Sequence, residues 1–430
     1  MATTEKIYQL FKKYPAISTD SRKIEKNCIF FALKGENFNG NKFATTALEQ
    51  GAVCAIIDEP EYSIPNKTIL VDDVLQTLKD LANLHRRKLG LPILAITGTN
   101  GKTTTKELVS AVLSEKFKVS YTEGNLNNHI GVPLTLLKMT SETEFGVVEM
   151  GANHQGEIAD LCVIAEPDFG IITNIGKAHL EGFGSFEGVI KTKSELYDYI
   201  KSKNGTVFYN LDNPILSKLV SKIQNKISYG NNNADFTGEL LSSPPYVHVK
   251  ANFKKGVLYL NTNLIGDYNF ENILAAACIG NYFEVDPIAI QKALKNYFPQ
   301  NNRSQLINKN GLKIIMDAYN ANPTSMQASV KSFMSNGSNK SYLILGDMLE
   351  LGEYSKLEHI SILELLKTYP EITVYIVGKN FLEIAENFNF PSFQNVEMLC
   401  SFLQENPITE GDVLIKGSRG IQLEKVLSCF

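Results

Sequence analysis

Tryptophan is absent, and cysteine and histidine are scarce, at six residues each in 430. The cysteines (Cys28, Cys54, Cys162, Cys278, Cys400 and Cys429) lie far apart, and no two form a CxxC pair. Such spacing points away from a zinc ribbon or a disulfide framework and predicts reduced thiols in the cytoplasm. No uninterrupted apolar run approaches the roughly 18 residues of a membrane helix, and the opening MATTEKIYQLFKKYP lacks an apolar core of signal-peptide length. The expectation is a cytoplasmic protein without membrane insertion. Charge of either sign is not in excess. With 42 Lys+Arg against 46 Asp+Glu, the formal net charge of -4 offers no general attraction to nucleic acid.

What is present is a globular composition, 43% hydrophobic and 20% charged. At roughly 150 residues per domain, the length suggests about three domains. Residues 1–88 carry short strand-like runs, CIFFAL, AVCAII and KTILV, with helical stretches such as KFATTALEQG between them. VLQTLKDLANLHRRKLG closes this region as a helix ending in basic residues and Gly90. Over 89–302, apolar strand runs alternate with helical patterns, which predicts a parallel sheet covered by helices. Near the end of that region, YVHVKANF and GVLYLNTNLIG alternate like half-exposed antiparallel strands, and FENILAAACIGNYF follows as a helix. KIIMDAY, SYLILGDM, TVYIVGK and DVLIKGS mark a separate parallel α/β domain over 303–430. MSNGSNKS and GNNNAD are expected to be surface loops.

The segment LPILAITGTNGKTTTKELVSAVL, residues 91–113, has the order strand, glycine turn, helix. It departs from G-x-x-x-x-G-K-[ST], because the first glycine position holds Ile96 and the nearest glycine is Gly98. Apolar residues at 108, 109, 112, 113 and 117 keep a helical spacing. Backbone N–H groups and the positive end of the helix dipole would then face an anion, with Lys102 adding a charge and Thr103 a hydroxyl for Mg²⁺. The alternative is a plain NG turn. Carboxylates for a Mg-nucleotide belong at the C-terminal ends of neighbouring strands. Glu149 follows the apolar run of FGVVEM, and His179 follows FGIITNI; either alone fits a solvated strand end or a structural loop residue.

TGTNGKTTT, GNLNNHIGVPLTLL, VVEMGANHQGEI and TNIGKAHLEGFGS together resemble the central domain of the Mur ligases. STDSRKIEKNCIFFALKGENFNGNKF is similar to the UDP-sugar-binding N-terminal domain of that family. DAYNANPTSMQASV, LGDMLELGEYS and LIKGSRG are similar to the C-terminal domain of its dipeptide-adding member. The resemblance covers nearly the whole chain. It implies an α/β fold of three domains: a small UDP-binding domain, a central P-loop ATPase domain and a Rossmann-like C-terminal domain. It implies an ADP-forming ligase of peptidoglycan synthesis, acting as a monomer. ATP would activate the terminal carboxylate of UDP-N-acetylmuramoyl-tripeptide, and D-alanyl-D-alanine would supply the amine.

By the same resemblance, Gly98, Thr99, Asn100, Gly101, Lys102, Thr103 and Thr104 cradle ATP phosphates. Thr103, Glu149 and His179 hold magnesium, of which two ions are expected. Lys193 matches a lysine that the family carries as a carbamate, with Lys191 as its rival. Asn269 and Asn272 match adenine-site residues, although Asp267 and Tyr268 stand where a histidine commonly precedes them. Arg303 would reach the phosphates and Asp317 the ribose, with Met316 and Ala318 departing from the family pattern there. Ser21, Asn37 and Phe38 match uridine-holding positions. Asn127, Asn128, Asn153 and His154 would face the muramoyl-peptide, and Tyr319, Asn320, Asn322, Asp347 and Arg419 the D-alanyl-D-alanine. Two other activities share some of these features: a P-loop kinase or NTPase switch, and a sister ligase adding single amino acids or glutamates to folate.

Overall fold

The computed structural model describes residues 2–243, 245–300, 302–335, 340–385 and 388–430. Three main sheets succeed one another along the chain. In the first, Ile17–Ser18, Ile29–Phe31, Cys54–Ile57 and Thr68–Leu70 pair in parallel and in chain order. The CIFFAL, AVCAII and KTILV runs supply three of these strands. The helix Val74–Leu89 starts at Asp73, whose carboxylate accepts from the Gln76 N–H, and stops at Gly90 with φ 66. A side-chain cap, a basic last turn and a left-handed glycine are the start and stop signals of its sequence. Arg86 of this helix reaches the Ala165 and Glu166 carbonyls and Asp168, and so ties the first domain to the second.

The second sheet has nine strands. Toward the edge opposite its antiparallel strands lie β1 (Ile93–Thr97), β2 (Phe145–Glu149) and β3 (Phe169–Ile172), with β1 between the other two and all three parallel. All five residues of β1 and of β2 are buried, which explains their unbroken apolar runs. His248–Phe253 and Gly256–Asn261 form the antiparallel edge that their alternation predicts. The helix α1 (Lys102–Leu113) follows β1 and buries Leu108, Val109, Val112 and Leu113. It ends four residues before Phe117, which packs on Phe145 and Phe283 instead. After β3 come the short α2 (Leu180–Phe183), α3 (Phe186–Ser202) and α4 (Asn269–Tyr282).

The third sheet has six strands and centres on β4 (Leu312–Asp317), β5 (Ser341–Gly346) and β6 (Gly411–Lys416), which are parallel, with β6 in the middle. GNNNAD is a loop as expected; part of MSNGSNKS lies outside the described residues. The cysteines require a correction. Cys400 and Cys429 are joined in a disulfide with Cα atoms 5.5 Å apart, while Cys28, Cys54, Cys162 and Cys278 are free and buried. The helix Val396–Glu405 packs on the terminal segment Leu423–Cys429, and this tertiary contact brings together residues that the sequence separates by 29. No helix among the described residues is long and apolar enough to cross a membrane.

Candidate active site

A cleft of ≈ 970 Å³ opens where the second and third sheets face each other. Its floor is the C-terminal ends of β1, β2 and β3, at the point where the chain passes from one side of β1 to the other, as ligand sites in open α/β sheets do. The loop from β1 to α1 is strapped in place. Its Thr99 N–H donates to the Asn174 carbonyl (2.9 Å), its Asn100 N–H to the Asn174 side chain (2.9 Å), and Thr173 Oγ1 donates to the Asn100 carbonyl (2.6 Å). Gly98 has φ +143, and a Cβ there would stand 2.0 Å from Thr173 Oγ1. Only glycine fits, which accounts for a glycine at 98 in place of one at 96.

Lys102 Nζ donates to the Gly98 and Thr99 carbonyls at 2.9 and 3.0 Å, so the cation lies over the loop it belongs to. Burial, offset in part by Glu149, holds its pKa below the usual lysine value. Glu149, at the end of β2, is 1% exposed. Its Oε1 accepts from Asn127 Nδ2 at 2.7 Å, while Oε2 is buried without a protein partner. A buried carboxylate oxygen left without a donor carries a desolvation cost that a cation would relieve. Thr103 and His179 line the same cleft. No group of three or more His, Cys, Asp or Glu residues converges on one point among the described residues, so a cation here would complete its shell with Thr103 and ligand oxygens.

Lys193 lies on α3, 2% exposed, whereas Lys191 faces outward. Its Nζ stands 5.4 Å from the centre of the Phe183 ring. Burial and then the charge of Lys102 bring its pKa down to about 7, against the opposing pull of Glu157 and Glu195. An amine in that range is substantially neutral near pH 7, as reaction with CO₂ requires.

The third domain supplies the opposite wall. Asn322 Nδ2 donates to Asn100 Oδ1 at 2.7 Å, and Thr324 Oγ1 accepts from the Lys177 N–H at 3.1 Å. Tyr319 carries the Arg303 guanidinium 3.6 Å from its ring centre and that of Arg419 at 5.5 Å. Asp317, the last residue of β4, accepts from Ser329 Oγ (3.0 Å) and from Lys416 Nζ (2.5 Å) of β6. Asn269 and Asn272 begin α4, where they bond to each other and Asn272 accepts from Thr105.

Most of the expected residues therefore meet in one cleft: residues 99–104, Asn127, Asn128, Glu149, Asn153, His179, Asn269, Asn272, Arg303, Asp317, Tyr319, Asn320, Asn322 and Arg419. Others are elsewhere. Ser21, Asn37 and the exposed Phe38, stacked on Phe43 at 5.4 Å, belong to the first domain. His154 is exposed beside Glu157 rather than on the cleft wall. Within the cleft, Asn128 Oδ1 already accepts from the N–H groups of Ile130 and Gly131. Asp347 is buried, and its carboxylate accepts from the Asn380 and Phe381 N–H groups, capping α5 (Lys379–Ala385 in chain order). Sequence reasoning missed Lys416, Asn174, Ser329 and Glu350, all on the cleft wall. All four fell inside quoted motifs, but as single polar residues nothing in the local pattern marked them for the cleft.

Comparison with known proteins places the chain in a family. Residues 96–280 match the Mur ligase middle domain, 302–419 the Mur ligase glutamate ligase domain, and 13–86 the catalytic domain of the Mur ligase family. The UDP-N-acetylmuramoyl-tripeptide–D-alanyl-D-alanine ligase of Bacillus subtilis is 35% identical over 96% of this chain and 92% of its own. MurF from Acinetobacter baumannii superposes with a TM-score of 0.87 at 30% identity, over 98% of this chain and 97% of that one. MurF from Thermotoga maritima in complex with ADP gives 0.84 at 29% identity, covering 96% of each. With likeness of this extent in both sequence and fold, the chain belongs to the Mur ligase family.

Proposed function

We infer that the chain joins D-alanyl-D-alanine to UDP-N-acetylmuramoyl-tripeptide at the expense of ATP, giving the muramoyl-pentapeptide precursor of peptidoglycan. The observation that carries this is the strapped phosphate loop facing the Tyr319, Asn320 and Asn322 wall across one cleft, in a chain similar over nearly its full length to ligases of that name. The three-domain division falls near 88/89 and 302/303, and the reaction is placed in the cytoplasm, where ATP and the nucleotide-linked peptide are available.

The chemistry runs in two displacements. The tripeptide carboxylate attacks the γ-phosphorus of ATP; an O–P bond forms, the bond to the β-phosphate oxygen breaks and ADP leaves. The dipeptide amine then attacks the acyl carbon, phosphate departs, and the amine gives up a proton as the amide forms. Both steps gather negative charge, so their rate depends on fixed positive groups and the exclusion of water. Lys102 and Arg303 serve the transferring phosphoryl. Thr103, Glu149 and His179 would hold one magnesium ion, and Lys193 as a carbamate would orient a second. Such ions supply Lewis-acid stabilisation of the phosphoryl oxygens. Asn269 and Asn272 meet the base, Asp317 the ribose, and Arg419 beside Tyr319 the dipeptide carboxylate. Asn127 and Asn153 border the muramoyl-peptide, with Asn37 and Phe38 at the uridine.

A substrate panel tests the assignment. ADP release should require both the tripeptide and D-alanyl-D-alanine; release indifferent to the dipeptide, or equal rates with a single amino acid, would overturn it.

A further inference from the structure

The second and third domains meet His179 from both sides. His179 has φ 49 at the start of α2, and Glu350, from the third domain, has φ 64. Left-handed backbone is uncommon for either residue type and costs on the order of 1 kcal/mol each. The two side chains nevertheless converge, with Glu350 Oε2 2.5 Å from His179 Nδ1. A second contact joins the same segments: the Glu181 N–H donates to the Glu350 carbonyl at 3.5 Å. On the far side, the Phe183 ring stands edge-on to the imidazole at 6.1 Å and 84°. An ionised carboxylate can only accept, so in the neutral imidazole the proton lies on Nδ1 and the Nε2 lone pair is left free.

We propose that Glu350 is a positioning residue: docking of the third domain brings its carboxylate onto His179 Nδ1 and fixes the tautomer that presents Nε2 to a divalent cation. Cation affinity and domain closure are thereby coupled, because the orienting carboxylate and the ligand belong to different domains. The proposal rests on His179 facing the cation, as inferred above. Carboxylates behind metal-bound histidines contribute about 10–100-fold in metal affinity. A plain interdomain latch would need no such geometry, and Lys177 Nζ to Glu358 Oε1 at 2.6 Å already serves as one.

The test reads two quantities in the whole chain: the His179 tautomer by ¹⁵N NMR without metal, and Mn²⁺ binding in the presence of ADP. The wild type and Glu350→Gln, whose amide oxygen still accepts, should show the Nδ1–H form. Glu350→Ala should give a mixture of tautomers and bind Mn²⁺ about 10–100-fold more weakly. An unchanged tautomer in Glu350→Ala, or unchanged Mn²⁺ affinity while His179→Ala weakens it, would overturn the proposal. Unchanged Mn²⁺ affinity in His179→Ala would instead remove the cation role of His179, and the proposal with it.

Discussion

At the scale of single residues, the chemistry turns on where a charge is allowed to sit. Lys193 and Lys191 are two apart on one helix, so they point to different faces, and only Lys193 is buried. With its pKa at about 7, the amine loses its proton as pH rises through neutrality. Uptake of ¹³CO₂ at Lys193 in CO₂-stripped protein should therefore grow from pH 6 to pH 8, followed by carbamate ¹³C NMR. Lys193→Ala should lose most activity, with partial recovery in a short carboxylic acid and none in bicarbonate; wild-type turnover by this variant would remove the carbamate assignment. Linkage gives the same residue a stability signature. The unfolded chain binds the proton more tightly than the folded one, so the uncarbamylated protein gains stability as pH climbs from about 7 toward the ordinary lysine value. The gain should vanish in Lys193→Met. Such environments are invisible in one dimension. Lys193 was singled out through its motif, whereas Lys416, 99 residues from its partner Asp317, went unmarked inside LIKGSRG.

At the scale of elements, the phosphate loop, the parallel strands and the antiparallel edge were legible because burial pattern and period agree: β1 and β2 are buried throughout and apolar up to their last residues, while His248–Phe253 alternates. What could not be read is contact between elements. Asp347 was expected at the dipeptide and lies instead with its carboxylate on the first N–H groups of α5, so its removal leaves buried donors unpaired. Asp347→Ala should destabilise the third domain by about 1–3 kcal/mol, seen as a lower urea midpoint. The Cys400–Cys429 link closes 29 residues, which by chain entropy contributes roughly 3–4 kcal/mol. Thiol titration of the denatured, unreduced chain should count four thiols, and Cys429→Ser should lower the melting temperature. Six thiols would show that the pair is reduced in the isolated protein.

At the scale of the whole molecule, the cleft needs the second and third domains to face each other. Asn100 with Asn322, Lys177 with Glu358 and His179 with Glu350 join the second and third domains around the cleft. Domains that share one site are expected to close around ligands. X-ray scattering should show a smaller radius of gyration with ATP analogue and UDP-muramoyl-tripeptide than without, and Lys177→Ala should blunt that change. What the cleft is built to make is the amide bond between the tripeptide and the dipeptide. Mass spectrometry of a mixture of ATP, UDP-N-acetylmuramoyl-tripeptide and D-alanyl-D-alanine tests it most directly. The predicted result is one muramoyl-pentapeptide for each ADP and phosphate formed; ADP accumulating with the tripeptide and dipeptide unchanged would contradict it.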